Sequence, residues 1–177
     1  IVDQSNSPWN KNKKLIRVGL VTDKASTANE KDKNLVFLLD VSGSMSDPNK
    51  LPLLKETIKI LVNNLKSTDT VSIVVYAGAS GMVLEPTKVK NKRKILRALS
   101  RLNAGGGTNA GEGIELAYKL AQESFKPDGI NRVILATDGD FNIGMTSQSD
   151  LIDMVQAKAK KNIFLTVLGL GMGNYND

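Results

Sequence analysis

The sequence predicts an α/β fold: a doubly wound, mostly parallel sheet with one antiparallel edge strand and helices on both faces. Two observations support this prediction. Short apolar runs, typical of buried strands, alternate with longer segments whose apolar residues recur at helical spacing. Two of the apolar runs end in an acid, at Asp40 and at Asp138, and ligands of doubly wound folds bind at the carboxyl ends of the strands.

The first 34 residues are predicted to be a flank or linker to one domain at residues 35–177, because 177 residues suffice for one substantial core and are few for two. Within the flank, residues 15–21 are apolar enough for an edge strand that pairs with the main sheet or with another domain. The domain begins with the apolar run at 35–40, which is the first buried strand.

A helix is predicted after Pro48, with Pro52 in its first turn. Its predicted buried stripe is Leu51, Leu54, Ile58, Leu61 and Leu65. The apolar run at 71–76 is the next strand, and the glycine-rich turn at 78–81 joins it to a short segment at 82–85. Because a hairpin is antiparallel, this segment is placed at the edge of the sheet.

The remaining elements continue the alternation. Helices are predicted at 91–102 and 110–124, a strand at 132–137, a helix at 149–161 and a strand at 163–168. The stripes of the first two helices are Ile95, Leu99 and Leu102, and then Ile114, Ala117 and Ala121.

The glycine run at 105–107 can be interpreted as part of a Gly-x-Gly-x-x-Ala dinucleotide fingerprint, but that motif requires a strand directly before it. A helix is predicted there instead. The run is therefore interpreted as an approach that presents Thr108 and caps the next helix, with a plain structural turn as the alternative.

The candidate metal-binding residues cluster where the first strand ends. Ser42 and Ser44, two positions apart, can turn their hydroxyls toward one point beside Asp40, and Gly43 lets the backbone bend between them. A carboxylate and two hydroxyls are hard oxygen donors, which suit a divalent cation such as Mg²⁺ better than zinc or copper. Asp40 and Asp138 could each simply cap a following turn or helix, but that explanation leaves the serines unexplained.

The composition excludes several kinds of site. With no cysteine the chain forms no disulfide or thiolate metal site, and with no histidine it supplies no Ser-His-Asp triad, zinc-protease helix or histidine base.

The formal charge of +6 favours acidic partners. Nucleic-acid binding is not predicted, because the basic residues are scattered and only four Phe, three Tyr and one Trp could stack on bases. No run approaches the roughly 20 apolar residues of a membrane span, and residues 1–12 lack the layout of a signal peptide.

Five residues resemble, in order and context, the metal-ion-dependent adhesion site of von Willebrand factor type A domains: Asp40, Ser42, Ser44, Thr108 and Asp138. The resemblance spans residues 34–177 and implies the Rossmann-like fold of that family. The sequence at 9–10, 74–78 and 168–175 is similar to bacterial envelope proteins of the YfbK type, which implies an extracytoplasmic location in the cell envelope and flanking domains in the same polypeptide. Because the family fold continues with another helix and strand, the C-terminal end of the domain is expected to be missing.

The resemblance also implies a role for each residue. Ser42 and Ser44 would bind the ion directly, Thr108 would do so in the ligand-ready arrangement, and Asp40 and Asp138 would act through water. Mg²⁺ is the expected ion, with Mn²⁺ and Ca²⁺ as alternatives. An ion held mainly by neutral oxygens keeps much of its charge, so the expected remaining ligand is an Asp or Glu of a partner protein. The chain is therefore interpreted as a binding module and not as an enzyme.

Two other functions stay open. A magnesium-dependent phosphoryl-transfer or hydrolytic enzyme also uses strand-end acids, although the sequence has no Gly-x-x-x-x-Gly-Lys-Ser/Thr loop. A structural module with an unused metal site is the other. Ser42→Ala and Asp138→Ala are each expected to remove metal affinity and leave the fold intact, since both residues follow strands in polar loops.

Overall fold

The computed structural model describes residues 2–18, 30–77, 81–105, 111–139 and 148–171. The chain divides into two compact units, residues 1–30 and residues 31–177. In the first unit, β1 (Val2–Asn6) and β2 (Lys14–Val18) form an antiparallel two-stranded sheet. Residues 15–18 of the apolar segment predicted at 15–21 thus pair with β1, and residues 19–21 lie outside the described residues. β1 was not predicted, because residues 3–6 are all polar and show no apolar alternation.

The second unit contains a five-stranded sheet with the spatial order β5-β4-β3-β6-β7. Its strands are β3 (Lys33–Asp40), β4 (Thr70–Tyr76), β5 (Gly81–Lys88), β6 (Ile130–Thr137) and β7 (Ile163–Gly169). Neighbouring strands are parallel except for the antiparallel pair of β4 and β5. The predicted fold class, with one antiparallel strand at the edge of a parallel sheet, is confirmed.

Helices cover both faces of this sheet. They are α1 (Leu51–Asn64), α2 (Lys92–Ser100), α3 (Gly111–Glu123) and α4 (Gln148–Ala159). The buried residues of α1 and α2 belong to one apolar cluster, whereas those of α3 pack in a second cluster with the partly buried apolar residues of α4. Short 3-10 helices at Gly43–Ser46 and Val89–Asn91 precede α1 and α2. Among the helices described, none combines the length and apolar composition that a membrane crossing requires.

The central strand β3 is buried on both faces, as its continuous apolar run predicts. Its side chains alternate between the two clusters: Phe37 and Leu39 face α1 and α2, while Val36 and Leu38 face α3. None of the four is more than 2% exposed. β3 therefore forms the centre of the core, and its last residue, Asp40, has a fixed position at the carboxyl end of the central strand.

The buried stripe of α1 differs from the predicted one at its end. Leu51, Leu54, Ile58 and Val62 are buried, whereas Leu61 is 37% exposed and Leu65 lies after the helix. Both the third and the fourth residue after Ile58 are apolar, so helical spacing could not decide between them. Leu102 is likewise buried but lies beyond the end of α2.

The winding of the sheet reverses between β3 and β6. From β3 the chain proceeds to β4 and β5 on one side, and later to β6 and β7 on the other. Crevices at such a reversal, outside the carboxyl ends of the strands, are the usual ligand sites of doubly wound folds. Asp40 ends β3 and Asp138 directly follows β6, so both acids lie at this reversal.

Gly129, in the turn before β6, lies against backbone where a side chain has no room. An added Cβ would lie 2.5 Å from the carbonyl oxygen of Asp32 and 2.6 Å from the Cβ of Lys126. Gly129→Ala is therefore expected to lower the free energy of unfolding by about 2 kcal/mol, because the backbone must shift. At Gly81 an added Cβ meets nothing within 4 Å, so Gly81→Ala is the matched control. Urea unfolding compares them, and equal stabilities would contradict the expectation.

Candidate metal centre

The loop after β3 brings the two predicted serines together. Ser42 and Ser44 flank Gly43, and their hydroxyl oxygens are 3.0 Å apart. The loop has a 3-10 turn in which the Met45 amide donates to the Ser42 carbonyl at 3.1 Å. The Met45 side chain is fully buried in the core and anchors the turn, so the serine hydroxyls remain at the surface. Apolar burial of one residue thus fixes the orientation of its polar neighbours.

The Asp40 carboxylate is buried and accepts hydrogen bonds on both oxygens. One oxygen accepts from the backbone amide of Ser42 at 2.8 Å. The other accepts from the Tyr76 hydroxyl at 3.3 Å and from the Thr137 hydroxyl at 3.4 Å. Asp40 therefore ties the serine loop to the ends of β4 and β6.

Asp138 is buried, with a side chain only 3% exposed, and one of its oxygens is 2.9 Å from the Lys50 ammonium. Burial acts to raise the pKa of Asp138, but hydrogen bonds from Lys50 and Ser44 and the charge of Lys50 outweigh burial. The net result is a pKa below its usual range. Asp138 is therefore a carboxylate, and it lies beside the Ser44 hydroxyl.

Lys50 is an unexpected member of the site. It directly precedes α1, and its ammonium also donates to the Ser44 carbonyl at 3.0 Å and lies 3.9 Å from the Asp47 carboxylate. Its side chain is only 10% exposed. A buried lysine at this position carries no sequence signal, because lysines before helices are mostly solvated.

Thr108 lies outside the described residues. The described chain reaches the site at Gly105, whose amide donates to the Val41 carbonyl at 2.9 Å. Gly105 has a φ of +143°, which a residue with a side chain rarely adopts. The glycine approach predicted before Thr108 thus begins beside the serine loop. The structure brings together Asp40, Ser42, Ser44 and Asp138 at the ends of β3 and β6.

Two further residues were missed in the sequence. Tyr76 and Thr137 both donate to Asp40. Tyr76 ends β4 and pairs in register with Asp40, so strand alignment could have found it. Thr137 directly precedes Asp138. Burial raises the pKa of Tyr76 above its usual range, and the Asp40 charge acts in the same direction, so its hydroxyl remains a proton donor.

The residues present fit a hard divalent cation. Oδ1 of Asp138 is buried without a hydrogen-bond partner among the described residues, and a buried carboxylate oxygen normally has one. Two hydroxyls lie nearby, so the donors at this point are all oxygens, as Mg²⁺, Mn²⁺ or Ca²⁺ prefers. Across the described ranges no group of three or more Asp, Glu, His or Cys could hold a metal.

Comparison with known proteins places this geometry in a family. The sequence model of the von Willebrand factor type A domain matches residues 35–140. YfbK of Escherichia coli K12, described as uncharacterized, is 39% identical over 171 residues, which cover 97% of this chain. The matched part is only 30% of YfbK.

Two solved structures share the fold. Proximal thread matrix protein 1 of the mussel byssus, solved with a zinc-occupied adhesion-site motif, is 21% identical with a TM-score of 0.65, covering 81% of this chain and 39% of that chain. Manganese-loaded TRAP of Plasmodium vivax is 23% identical with a TM-score of 0.61, covering 81% of this chain and 59% of that chain. From the match of the domain sequence together with this fold, the chain belongs to the von Willebrand factor type A domain family.

Proposed function

We propose that this chain is a metal-dependent protein-binding module. Ser42, Ser44 and Thr108 hold a divalent cation directly, and Asp40 and Asp138 act through water. Mg²⁺ is the proposed ion, with Mn²⁺ and Ca²⁺ as alternatives. The observation that carries the proposal is the buried carboxylate of Asp138, which is hydrogen-bonded by Ser44 and Lys50 while its Oδ1 has no hydrogen-bond partner among the described residues.

The charges of the site favour an acidic ligand. Asp40 is already engaged by three hydrogen bonds, and Asp138 is paired with Lys50, so neither neutralises a cation fully. A cation held by hydroxyls and water keeps a high affinity for an anion. The partner therefore supplies an Asp or Glu carboxylate. Two structural neighbours, TRAP loaded with manganese and proximal thread matrix protein 1 with zinc, support divalent-metal binding in this fold.

No observation favours the alternative of an enzyme. A general base needs a carboxylate that can take up a proton, and the pKa of Asp138 is lowered beside Lys50. We also propose an extracytoplasmic location in a bacterial cell envelope, with flanking domains in the same polypeptide; the part of YfbK that this chain matches is 30% of its length. Residues 35–177 are proposed as the domain.

A retention experiment tests the function. The immobilised chain is incubated with envelope extract in Mg²⁺ or in EDTA, beside a Ser42→Ala/Ser44→Ala variant. One partner is expected to bind the wild-type chain in Mg²⁺. It should bind neither the wild-type chain in EDTA nor the variant, because the ion completes the contact. Ser46→Ala is the matched control, since Ser46 is exposed in the same 3-10 turn. A partner retained equally in EDTA would refute the metal-dependent contact, and turnover of phosphate esters with Mg²⁺ would favour an enzyme.

A further inference from the structure

The positive charge of the chain is concentrated in one segment and not scattered as the sequence analysis indicated. Residues 88–101 contain no acid and seven basic residues, here called the basic face: Lys88, Lys90, Lys92, Arg93, Lys94, Arg97 and Arg101. The rest of the chain has 17 basic and 18 acidic residues. The net charge of +6 therefore comes entirely from this segment.

The structure places four of these charges in α2 and the other three directly before and after it. The segment runs from the end of β5 through a 3-10 turn and α2, and the apolar side of α2, with Ile95 and Leu99, is buried in the core. Of the seven cations, Lys94 alone pairs with an acidic side chain among the described residues, at 2.6 Å from Glu85, and both members are more than half exposed. Lys92 is half-buried and donates to a backbone carbonyl, and the other six are exposed.

Three of the cations lie in the first turn of α2, where the helix dipole makes positive charge unfavourable. The first turn of α2 contains no acid, and Asn91 makes no side-chain cap, although Lys92, Arg93 and Lys94 stand there. Cations near the positive end of a helix dipole are unfavourable, and a bound anion relieves that repulsion. Lys90, Arg93 and Arg97 also line a shallow groove of about 700 Å³ with their neighbours. The groove, the exposed cations and the helix end therefore favour the same kind of ligand.

The basic face begins far from the metal centre. The Val89 and Lys90 amides donate to the carbonyls of Asp69 and Ser67, which lie just before β4 at the starting end of the parallel strands. Asp40 lies at the other end of β3, and eight strand residues span about 23 Å. A ligand at the first turn of α2 therefore leaves the metal centre accessible.

We propose that the basic face binds the surface of a lipid bilayer that contains anionic phospholipids. Clustered Lys and Arg on an amphipathic helix favour such a surface. Nucleic acid is less suitable, because residues 88–101 contain no aromatic side chain for stacking. A protein interface is less suitable, because such interfaces centre on apolar or aromatic anchors, and Ile95 and Leu99 are already buried.

The binding is electrostatic, because the apolar side of α2 cannot enter the bilayer. It should therefore weaken strongly with salt. It requires no divalent cation, which separates it from the proposed function. A bilayer bound at the first turn of α2 would contact the domain where its parallel strands start and leave the serine loop accessible to a partner.

Sedimentation with vesicles tests this surface. The wild-type chain is expected to bind vesicles of phosphatidylcholine with phosphatidylglycerol, in EDTA and at low salt, and not vesicles of phosphatidylcholine alone. Lys90→Glu/Arg93→Glu/Arg97→Glu should reduce partitioning by well over a hundredfold, because each basic residue near the surface contributes a similar part of the binding free energy and the new acids are repelled. The matched control, Lys119→Glu/Lys160→Glu/Lys161→Glu, changes the net charge equally at exposed sites outside the basic face and should bind nearly as the wild type does.

Three results would overturn the proposal. Equal binding to neutral vesicles, or an equal loss in the control, would remove the role of the basic face. Tighter binding of duplex or single-stranded DNA, or of polyglutamate, than of anionic vesicles under the same conditions would assign the face to nucleic acid or to an acidic protein. The neutral variant Lys90→Gln/Arg93→Gln/Arg97→Gln should show an intermediate loss of vesicle binding. Its thermal unfolding is measured as well, so that the proposal can still be tested if the charge-reversed variant does not fold.

Discussion

Ser42→Ala is expected to weaken the binding of Mg²⁺ and Mn²⁺ about a hundredfold or more, with the fold intact. The hydroxyl supplies a direct ligand in the proposed site, and changes to groups that only orient metal ligands already cost about 10- to 100-fold. The Ser42 side chain contributes no core packing and its backbone bonds persist, so the free energy of unfolding should change by less than about 0.5 kcal/mol. Titration calorimetry measures the affinity, and urea unfolding in EDTA measures the stability.

The matched control for this change is Ser46→Ala, which alters an exposed serine of the same turn and should leave metal affinity unchanged. Retained affinity in Ser42→Ala would place the ion elsewhere. Asp138→Ala is a poorer test than the sequence indicated, because it also leaves the buried Lys50 ammonium without its closest carboxylate. The expectation of an unchanged fold therefore applies to Ser42 but not to Asp138.

Lys50→Met is expected to act in two opposite directions. It should strengthen Mg²⁺ and Mn²⁺ binding about tenfold or more, since a positive charge within a few ångströms opposes a divalent cation and competes for Asp138. In EDTA it should lower the free energy of unfolding by about 3 kcal/mol, because it leaves the Asp138 carboxylate buried and unpaired. Methionine fills much of the same volume, so lost packing contributes little.

Calorimetry and urea unfolding, with and without Mn²⁺, measure both effects. Mn²⁺ at one fixed high concentration should restore more stability to Lys50→Met than to the wild type, because the stabilisation by a ligand rises with the logarithm of its affinity. Lys59→Met is the control, since Lys59 pairs with Glu56 on the exposed side of α1, where ion pairs contribute little. Weaker metal binding in Lys50→Met would show that the lysine holds Asp138 in its metal-binding position and does not oppose the ion.

The sequence predicted the order of the elements well because buried strands and amphipathic helices have distinct apolar spacings. The predictions were wrong or incomplete where the spacing of apolar residues is ambiguous or where no such pattern exists. Leu61 and Val62 both satisfy the helical period, and only the packed core selects Val62. β1 forms from polar residues through backbone pairing with β2, which no side-chain pattern marks.

The proximity of four candidate residues could be predicted from the order of the motifs along the chain. Asp40, Ser42, Ser44 and Asp138 were found because each lies at the end of an apolar strand or within the adjoining loop. Lys50 was missed because its burial depends on Asp138, 88 residues away in the chain. Contacts of this kind arise from topology, which places the ends of β3 and β6 side by side. Thr108 stays a prediction.

The position of Asp40 at the end of β3 also affects how the molecule opens. β3 pairs with strands on both sides, and residues 36–39 are at most 2% exposed, so their amides should exchange with solvent only through global unfolding. The serine loop begins two residues after this slowest-opening segment. Its anchor is therefore in place in every native molecule, and an approaching cation meets serine hydroxyls that require little further ordering.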